Sequence, residues 1–416
     1  NATMVDSDGL LKWRPHNLMK YSEDFTNAAW AKLNVTVTAN AAVAPDGTTT
    51  ADKIVNTGDT GGKLFYQSGV ASGQTTLAVF AKAAEFTRLR INELGGNRFS
   101  ANFDLSAETA TLTSGANGIA ARIFSIGSGW YLCEIDHNAT AAANSFVGYP
   151  APAETTAGNP NYDADDVSGI YIWGAHLYRS DLGGMVNNPD RGDSYVPTTT
   201  AARYLPRRGH HVYNGSAWVN EGLLHESEQR TNLVEYSNDF TAVGSSTITA
   251  NSGISPTGET NAVLADTVTA SNSNGVFLPD CTINANTPYT TSLYVKNVAG
   301  NGIFAFFFRT DSSTNQTKLW FNLNDGTKGT QSANGGTTSV SDFGITEVGN
   351  GWYRLYVVGS STVTTSLKSI TFSAAADNSN NRDANGEVLI YGAQVEQAST
   401  PSSYIPTAGA TATRAA

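Results

Sequence analysis

The chain has 416 residues, a length that suits two domains of about 200 residues better than one. Charged residues make up only 15% of it, beside 40 glycines and 10% aromatics; that mixture suits short strands with many turns and disfavours helical bundles, whose exposed faces need Lys, Glu and Arg. A net charge of −11 leaves no continuous basic surface for phosphate backbones, and no apolar run approaches the ~18 residues of a membrane span. Nucleic-acid binding and membrane insertion are therefore not expected.

Asn1 carries neither an initiator Met nor a signal-peptide pattern, so the chain reads as processed or as an excerpt. From there the sequence repeats itself once, at a period of about 215 residues. Asn17-Leu18, Tyr21-Ser22 and Asp24-Phe25-Thr26 return as Asn232-Leu233, Tyr236-Ser237 and Asp239-Phe240-Thr241. Phe80-Ala81-Lys82 returns as Tyr294-Val295-Lys296, and Phe103-Asp104-Leu105 as Phe321-Asn322-Leu323. Gly129-Trp130-Tyr131 matches Gly351-Trp352-Tyr353, and Ile172-Trp173-Gly174-Ala175 matches Ile390-Tyr391-Gly392-Ala393. The copies close on Ser194-Tyr195-Val196-Pro197-Thr198 and Ser403-Tyr404-Ile405-Pro406-Thr407.

The repeat settles local ambiguity. The run from Leu77 to Phe86 could pass for a helix, but its partner from Thr290 to Phe308 is β-branched and aromatic and contains Gly300 and Gly302, so strands are expected in both copies. Tyr353, Leu355 and Val357 alternate with Arg354, Tyr356 and Val358, and Tyr131, Cys133 and Ile135 repeat the first set. Breakers at Pro45-Asp46-Gly47, Asn324-Asp325-Gly326 and Asn385-Gly386 punctuate such runs. The fold class expected is all-β: two tandem jelly-roll β-sandwich domains joined by a short linker containing a hairpin. The divisions are a lead-in segment at 1–16, a first sandwich at 17–202, a linker at 203–231, a second sandwich at 232–407 and a tail at 408–416. Within the linker, Asn214-Gly215 lies between two β runs, the strongest short hairpin signal. Gly222-Leu223-Leu224 leads into the second copy as Gly9-Leu10-Leu11 leads into the first.

An opening of the form Asn-Leu-x-x-Tyr-Ser-x-x-Phe, a Gly-Trp-Tyr strand and a close of Ile-Trp-Gly-Ala-x-Leu with Ser-Tyr-Val-Pro-Thr resemble a known module. They are similar to the carbohydrate-binding, galactose-binding-like jelly rolls of phage tail fibres, tail spikes and head appendages. The resemblance covers about residues 9 to 200 and 222 to 407. It implies a non-enzymatic virion surface protein, located on the phage particle, with other virion proteins as partners and bacterial surface glycans as ligands. It further implies a homo-oligomer, of which a trimer is the common form. A purely structural decoration or fibre component, and accessory modules of a glycan depolymerase, stand as alternatives. The resemblance transfers no binding site.

Candidate chemistry is sparse. No nucleophile elbow, His-Glu-x-x-His, P-loop or Cys-x-x-Cys occurs, and Cys133 and Cys281 fall at non-equivalent places, reading as isolated thiols. His210-His211 lies in the polar linker without convergent ligands. Asp163, Asp165 and Asp166 suit a solvated loop or a calcium turn better than a glycosidase pair, and no other cofactor is implied. Arg191-Gly192-Asp193 reads as a chance tripeptide. The glycan or interface candidates are residues expected to face outward: Trp320, Phe304, Phe306, Phe308, Arg354 and Tyr356. Inversion of that face, with Phe304, Phe306 and Phe308 forming the core, is the competing reading. Arg88, Arg90, Asn92, Asn102 and Glu134 are taken to occupy the corresponding places in the first copy.

Overall fold

A computed structural model of the chain describes residues 2–58, 61–69, 73–92, 99–115, 117–139, 144–151, 163–266, 274–310, 314–333 and 336–416. Among the described residues every regular element is a β-strand, and no helix is long and apolar enough to cross a membrane. The chain divides into two compact units: Trp13–Pro206, and Asn1–Lys12 together with Arg207–Ala416.

The unit Trp13–Pro206 holds two six-stranded antiparallel sheets. One runs, in spatial order, Thr109–Ser114, Ser100–Asp104, Arg88–Asn92, Asn144–Ala151, Leu64–Gly69, Ala31–Leu33. The other runs Gly118–Gly127, Trp130–Ala139, Gly73–Ala83, Gly169–Arg179, Ala51–Asn56, Val35–Ala42. Period-2 alternation sends Leu89, Ile91, Ala101 and Phe103 of the first sheet and Leu77, Val79, Cys133, Ile135 and Ile172 of the second into one shared core. The Leu77 region is thus a strand, as its repeat partner implies.

The second sandwich repeats this plan. Its sheets run Thr241–Val243, Gly275–Phe277, Ile370–Ser373, Ile303–Arg309, Gln316–Asn322, Thr327–Ala333, and Thr247–Ile254, Thr260–Asp266, Glu387–Glu396, Tyr289–Ala299, Tyr353–Ser361, Thr338–Glu347. Tyr353, Leu355 and Val357 point into its core, as the alternation requires. Phe304, Phe306 and Phe308 point there too, so the outward assignment is corrected: these rings fill the space between the sheets. Register explains the error. Phe304 pairs with Phe321 as Leu89 pairs with Phe103, so the counterparts of Phe304 and Phe306 are Leu89 and Ile91. Arg88, Arg90 and Asn92 instead match Ile303, Ala305 and Phe307 on the opposite face of the sheet.

What makes the repeated blocks repeat is a buried asparagine. Asn17 is wholly buried; its Nδ2 donates to Ala175 O (3.0 Å) and Val196 O (2.8 Å), and its Oδ1 accepts from Met19 N and Leu177 N. Asn232 does the same with Ala393 O (3.4 Å), Ile405 O (2.9 Å), Val234 N and Val395 N. One side chain thereby ties the opening block, the Gly-Ala strand and the closing block. The glycine of that strand supports the arrangement. Gly174 and Gly392 take φ of 67° and 66° at ladder irregularities, a left-handed conformation that side chains resist, and so present the next carbonyl to the asparagine. Ser22 and Ser237 Oγ add a second tie, accepting from Thr198 N (2.8 Å) and Thr407 N (3.1 Å).

The flanking segments also form strands. Arg203–Tyr204 pairs with His16–Asn17, and Ala412–Arg414 pairs with Arg230–Asn232. The linker hairpin is present as Arg208–Tyr213 paired with Trp218–Leu223. The N-terminal segment packs on the second sandwich: Thr3 Oγ1 donates to Tyr404 O (2.6 Å) and Leu11 N to Pro256 O (2.9 Å).

Because Asn232→Ala strands several buried backbone groups at once, it should destabilise the second sandwich by about 2–5 kcal/mol, read from its denaturant midpoint.

Candidate functional site

The unit containing the second sandwich bears a half-open cavity of about 360 Å³. Its floor is the outward face of the Tyr289–Ala299, Tyr353–Ser361 and Thr338–Glu347 strands. Outward positions stand in register there: Tyr294 opposite Arg354, Ser292 opposite Tyr356, and Thr346 opposite Arg354 on its other side. The Tyr356 ring lies over Gly344, where a β-carbon would come within 2.3 Å of it, and its hydroxyl donates to Asp342 Oδ2 (3.0 Å). Arg354 Nη2 donates to Ser292 Oγ (3.0 Å), and its guanidinium stands 5.4 Å over the Tyr294 ring. Its Nε–H is buried and finds no acceptor among the described residues.

The walls come from distant sequence. Met4, Val5 and Leu11 arrive from the N-terminal segment, Tyr404 from the closing block, and His210, His211, Tyr213 and Trp218 from the linker hairpin. Tyr404 meets Tyr294 edge-on at 5.9 Å. Trp218 fixes the hairpin by lying between two glycines with positive φ. A β-carbon at Gly9 would fall 2.0 Å from its indole, and one at Gly349 2.4 Å. His210 Nδ1 accepts from Val5 N (3.1 Å); burial pushes the pKa of this ring down, with Arg207 and His211 adding to the effect. The neutral ring therefore carries its proton on Nε2. Burial alone would raise the Glu226 carboxyl, yet hydrogen bonds from Ser403 and the Arg207 guanidinium at 2.7 Å hold it below the ordinary range.

Of the residues singled out from sequence, Arg354 and Tyr356 meet in this cavity. Trp320 does project from the face opposite Phe321, but it is 1% exposed. It packs with Phe307, Ile370 and Phe372, and the segment 374–386 covers them: Trp320 Nε1 donates to Ser379 O (2.9 Å) and the Arg382 guanidinium lies 3.6 Å over Phe372. Burial pushes Arg382 down to about 10. The expected aromatic platform at Trp320 is thus interior, not a surface.

In the first sandwich the candidates scatter. Arg88 pairs with Asp104 (2.7 Å), and Asn102 lies beside them. Arg90 and Asn92 are buried beside Tyr149, with Arg90 Nη2 donating to Ser100 Oγ (3.0 Å). Glu134 sits on the other sheet, where burial raises its pKa against the pull of Arg122; Arg122 also holds Asp136, so the two carboxylates serve one guanidinium. Asp163, Asp165 and Asp166 do not converge: Asp165 accepts from Val167 N, Ser168 N and Ser168 Oγ, while Asp166 takes Gly58 N. Among the described residues no group of three or more His, Cys, Asp or Glu could hold a metal ion. Arg191 and Asp193 pair with each other at 3.2 Å. Cys133 is buried in the core, and burial pushes the Cys281 thiol up to about 12.

Sequence reasoning missed Trp218, His210 and Tyr404 as cavity walls. The signals available were the Asn-Gly hairpin carrying a lone Trp and the Gly-Asn-Gly-Trp turn that receives it.

No protein-family model matches the sequence, and no curated protein matches it. Among solved structures, the N-terminal CBM22-1-CBM22-2 tandem domain of Xyn10C from Paenibacillus barcinonensis aligns with a TM-score of 0.29 and 10% identity, over 94% of this chain and 99% of that one. A score this low assigns neither fold nor function.

With Trp218→Ala the hairpin loses its anchor between Gly9 and Gly349, so amide hydrogen exchange across 208–223 should speed by roughly tenfold or more while the sandwich core stays protected.

Proposed function

We propose that this chain is a non-enzymatic surface protein of a bacteriophage particle, in a fibre, spike or head appendage, and that its second sandwich holds a bacterial surface glycan in the cavity described above. The cavity is the observation that carries the reading. Its size falls at the lower end of ligand sites, which span roughly 300–1,000 Å³. Tyr294, Tyr356, Tyr404 and Trp218 offer ring faces and edges to the CH groups of a pyranose, while Arg354 and His210 offer hydrogen-bond donors to its oxygens. The virion location rests on the resemblance of the opening, Gly-Trp-Tyr and closing blocks to phage appendage modules. A depolymerase role has less support, since Glu134 and Asp136 are both engaged by Arg122 rather than set apart across a cleft.

On an array of bacterial surface polysaccharides the purified chain should bind a subset, and Tyr356→Ala should weaken that binding about tenfold. Silence across the array with folded protein overturns the glycan reading.

A structural role in assembly is favoured by a separate surface. Phe124 and Ile126, 46% and 43% exposed, lie on the edge strand Gly118–Gly127 of the first sandwich, where the second sandwich has Thr346 and a partly buried Val348. An apolar edge strand invites pairing. A second copy of the chain covering it accounts for the exposure, in keeping with the homo-oligomer implied by the resemblance. Light scattering should find an oligomer that Phe124→Ser dissociates; a monodisperse monomer of the unmodified chain contradicts this reading.

A further inference from the structure

We propose that the saccharide in this cavity is acidic, carrying a carboxylate that pairs with Arg354; this rests on the glycan reading above. Arg354 is half-buried in a recess with a mostly apolar lining, where a charge keeps less water around it than on an open surface and a charged partner is correspondingly favoured. Arg354 has only the Ser292 hydroxyl and the Tyr294 ring face, with its Nε–H buried and unused. No carboxylate among the described residues pairs with it.

Two of the acidic groups around the cavity, Glu226 and Asp342, are committed elsewhere. Glu226 serves Arg207 at 2.7 Å, Arg414 at 3.3 Å and both polar groups of Ser403. Asp342 accepts from the Tyr356 hydroxyl and Phe343 N. Glu347 also lines the cavity, but it stands in register with Tyr353, whereas Arg354 stands opposite Thr346, and no ion pair joins Glu347 to Arg354 among the described residues. What the walls leave open toward a ligand are donors: Arg354 Nη1, which is neither buried nor hydrogen-bonded among the described residues, and the Nε2–H of His210, whose other nitrogen is occupied by Val5 N. Two donors and one uncompensated positive charge suit an anionic acceptor, and a charge-assisted hydrogen bond to carboxylate is the strong form of that contact.

Among the described residues the first sandwich has no such feature. Leu132 stands where Arg354 does, and Arg122 is already neutralised by Glu134 and Asp136. Selectivity for acid should therefore belong to the second sandwich alone.

The test is calorimetric titration of the full chain with methyl uronides and the matched neutral methyl hexosides in gluco, galacto and manno configurations, plus the corresponding sugar 6-phosphates. The expected result is that, in whichever configuration binds, the uronide binds at least about tenfold tighter than the neutral glycoside. Arg354→Gln should erase that preference while Arg354→Lys keeps part of it, circular dichroism showing both variants folded. Equal affinity for uronide and hexoside overturns the inference and leaves the glycan reading standing; tighter binding of the 6-phosphate overturns the carboxylate assignment. Binding of none of them, neutral or acidic, overturns both.

Discussion

In each sandwich one wholly buried asparagine side chain joins three stretches of chain that lie far apart in sequence. Asn17 and Asn232 each engage the opening block, the Gly-Ala strand about 160 residues later and the closing block beyond it. Both their donors and their acceptor are used, which is what a buried amide requires and what makes the arrangement difficult to vary. Each partner carries its own condition: a glycine at positive φ before the alanine, and a Tyr-Val/Ile-Pro-Thr segment that passes its carbonyl to the amide and its threonine N–H to the nearby serine. The repeated blocks are thus parts of one closure. The strands between them need only alternate and fill the core, and they diverge freely.

That freedom shows in what the two copies do with equivalent faces. The sheet face that is polar in the first copy, with Arg88, Arg90, Asn92 and Asn102, is apolar in the second, with Ile303, Ala305, Phe307 and Trp320. The second copy covers its apolar face with the segment 374–386, using Arg382 both as a cation over Phe372 and as a donor to Asn274 O and Asn380 O. An exposed aromatic sheet would otherwise be a liability. The opposite sheet diverges in the other sense: the first copy places the Arg122, Glu134 and Asp136 ion group outward, whereas the second places Tyr294, Arg354 and Tyr356 there and roofs them over.

The roof is what turns a sheet face into a site. It consists of the linker hairpin and the N-terminal segment, fastened by an indole pressed between two glycines that cannot carry a side chain. Tyr356 is fixed from below by Gly344 and from the side by Asp342, so the floor is set before any ligand arrives. Preorganisation of this kind keeps the ordering cost of binding low.

The sequence by itself determined the two-sandwich plan, because a repeat of ordered blocks and period-2 alternation report directly on backbone geometry and on which side chains share a face. It also placed the hairpin, since Asn-Gly between β runs selects that turn, and it put Arg354 and Tyr356 on the outward face. Which outward face becomes the floor of a cavity was decided by tertiary structure alone. Alternation is blind to register, so Phe304, Phe306 and Phe308 could be set on either side until their pairing with Gln316–Asn322 was known, and it is blind to cover, so nothing local marks Trp320 as hidden under residues some sixty positions away. The cavity draws on residues 3 to 404. Contacts of that span arise from the folded path of the chain, not from any local pattern within it.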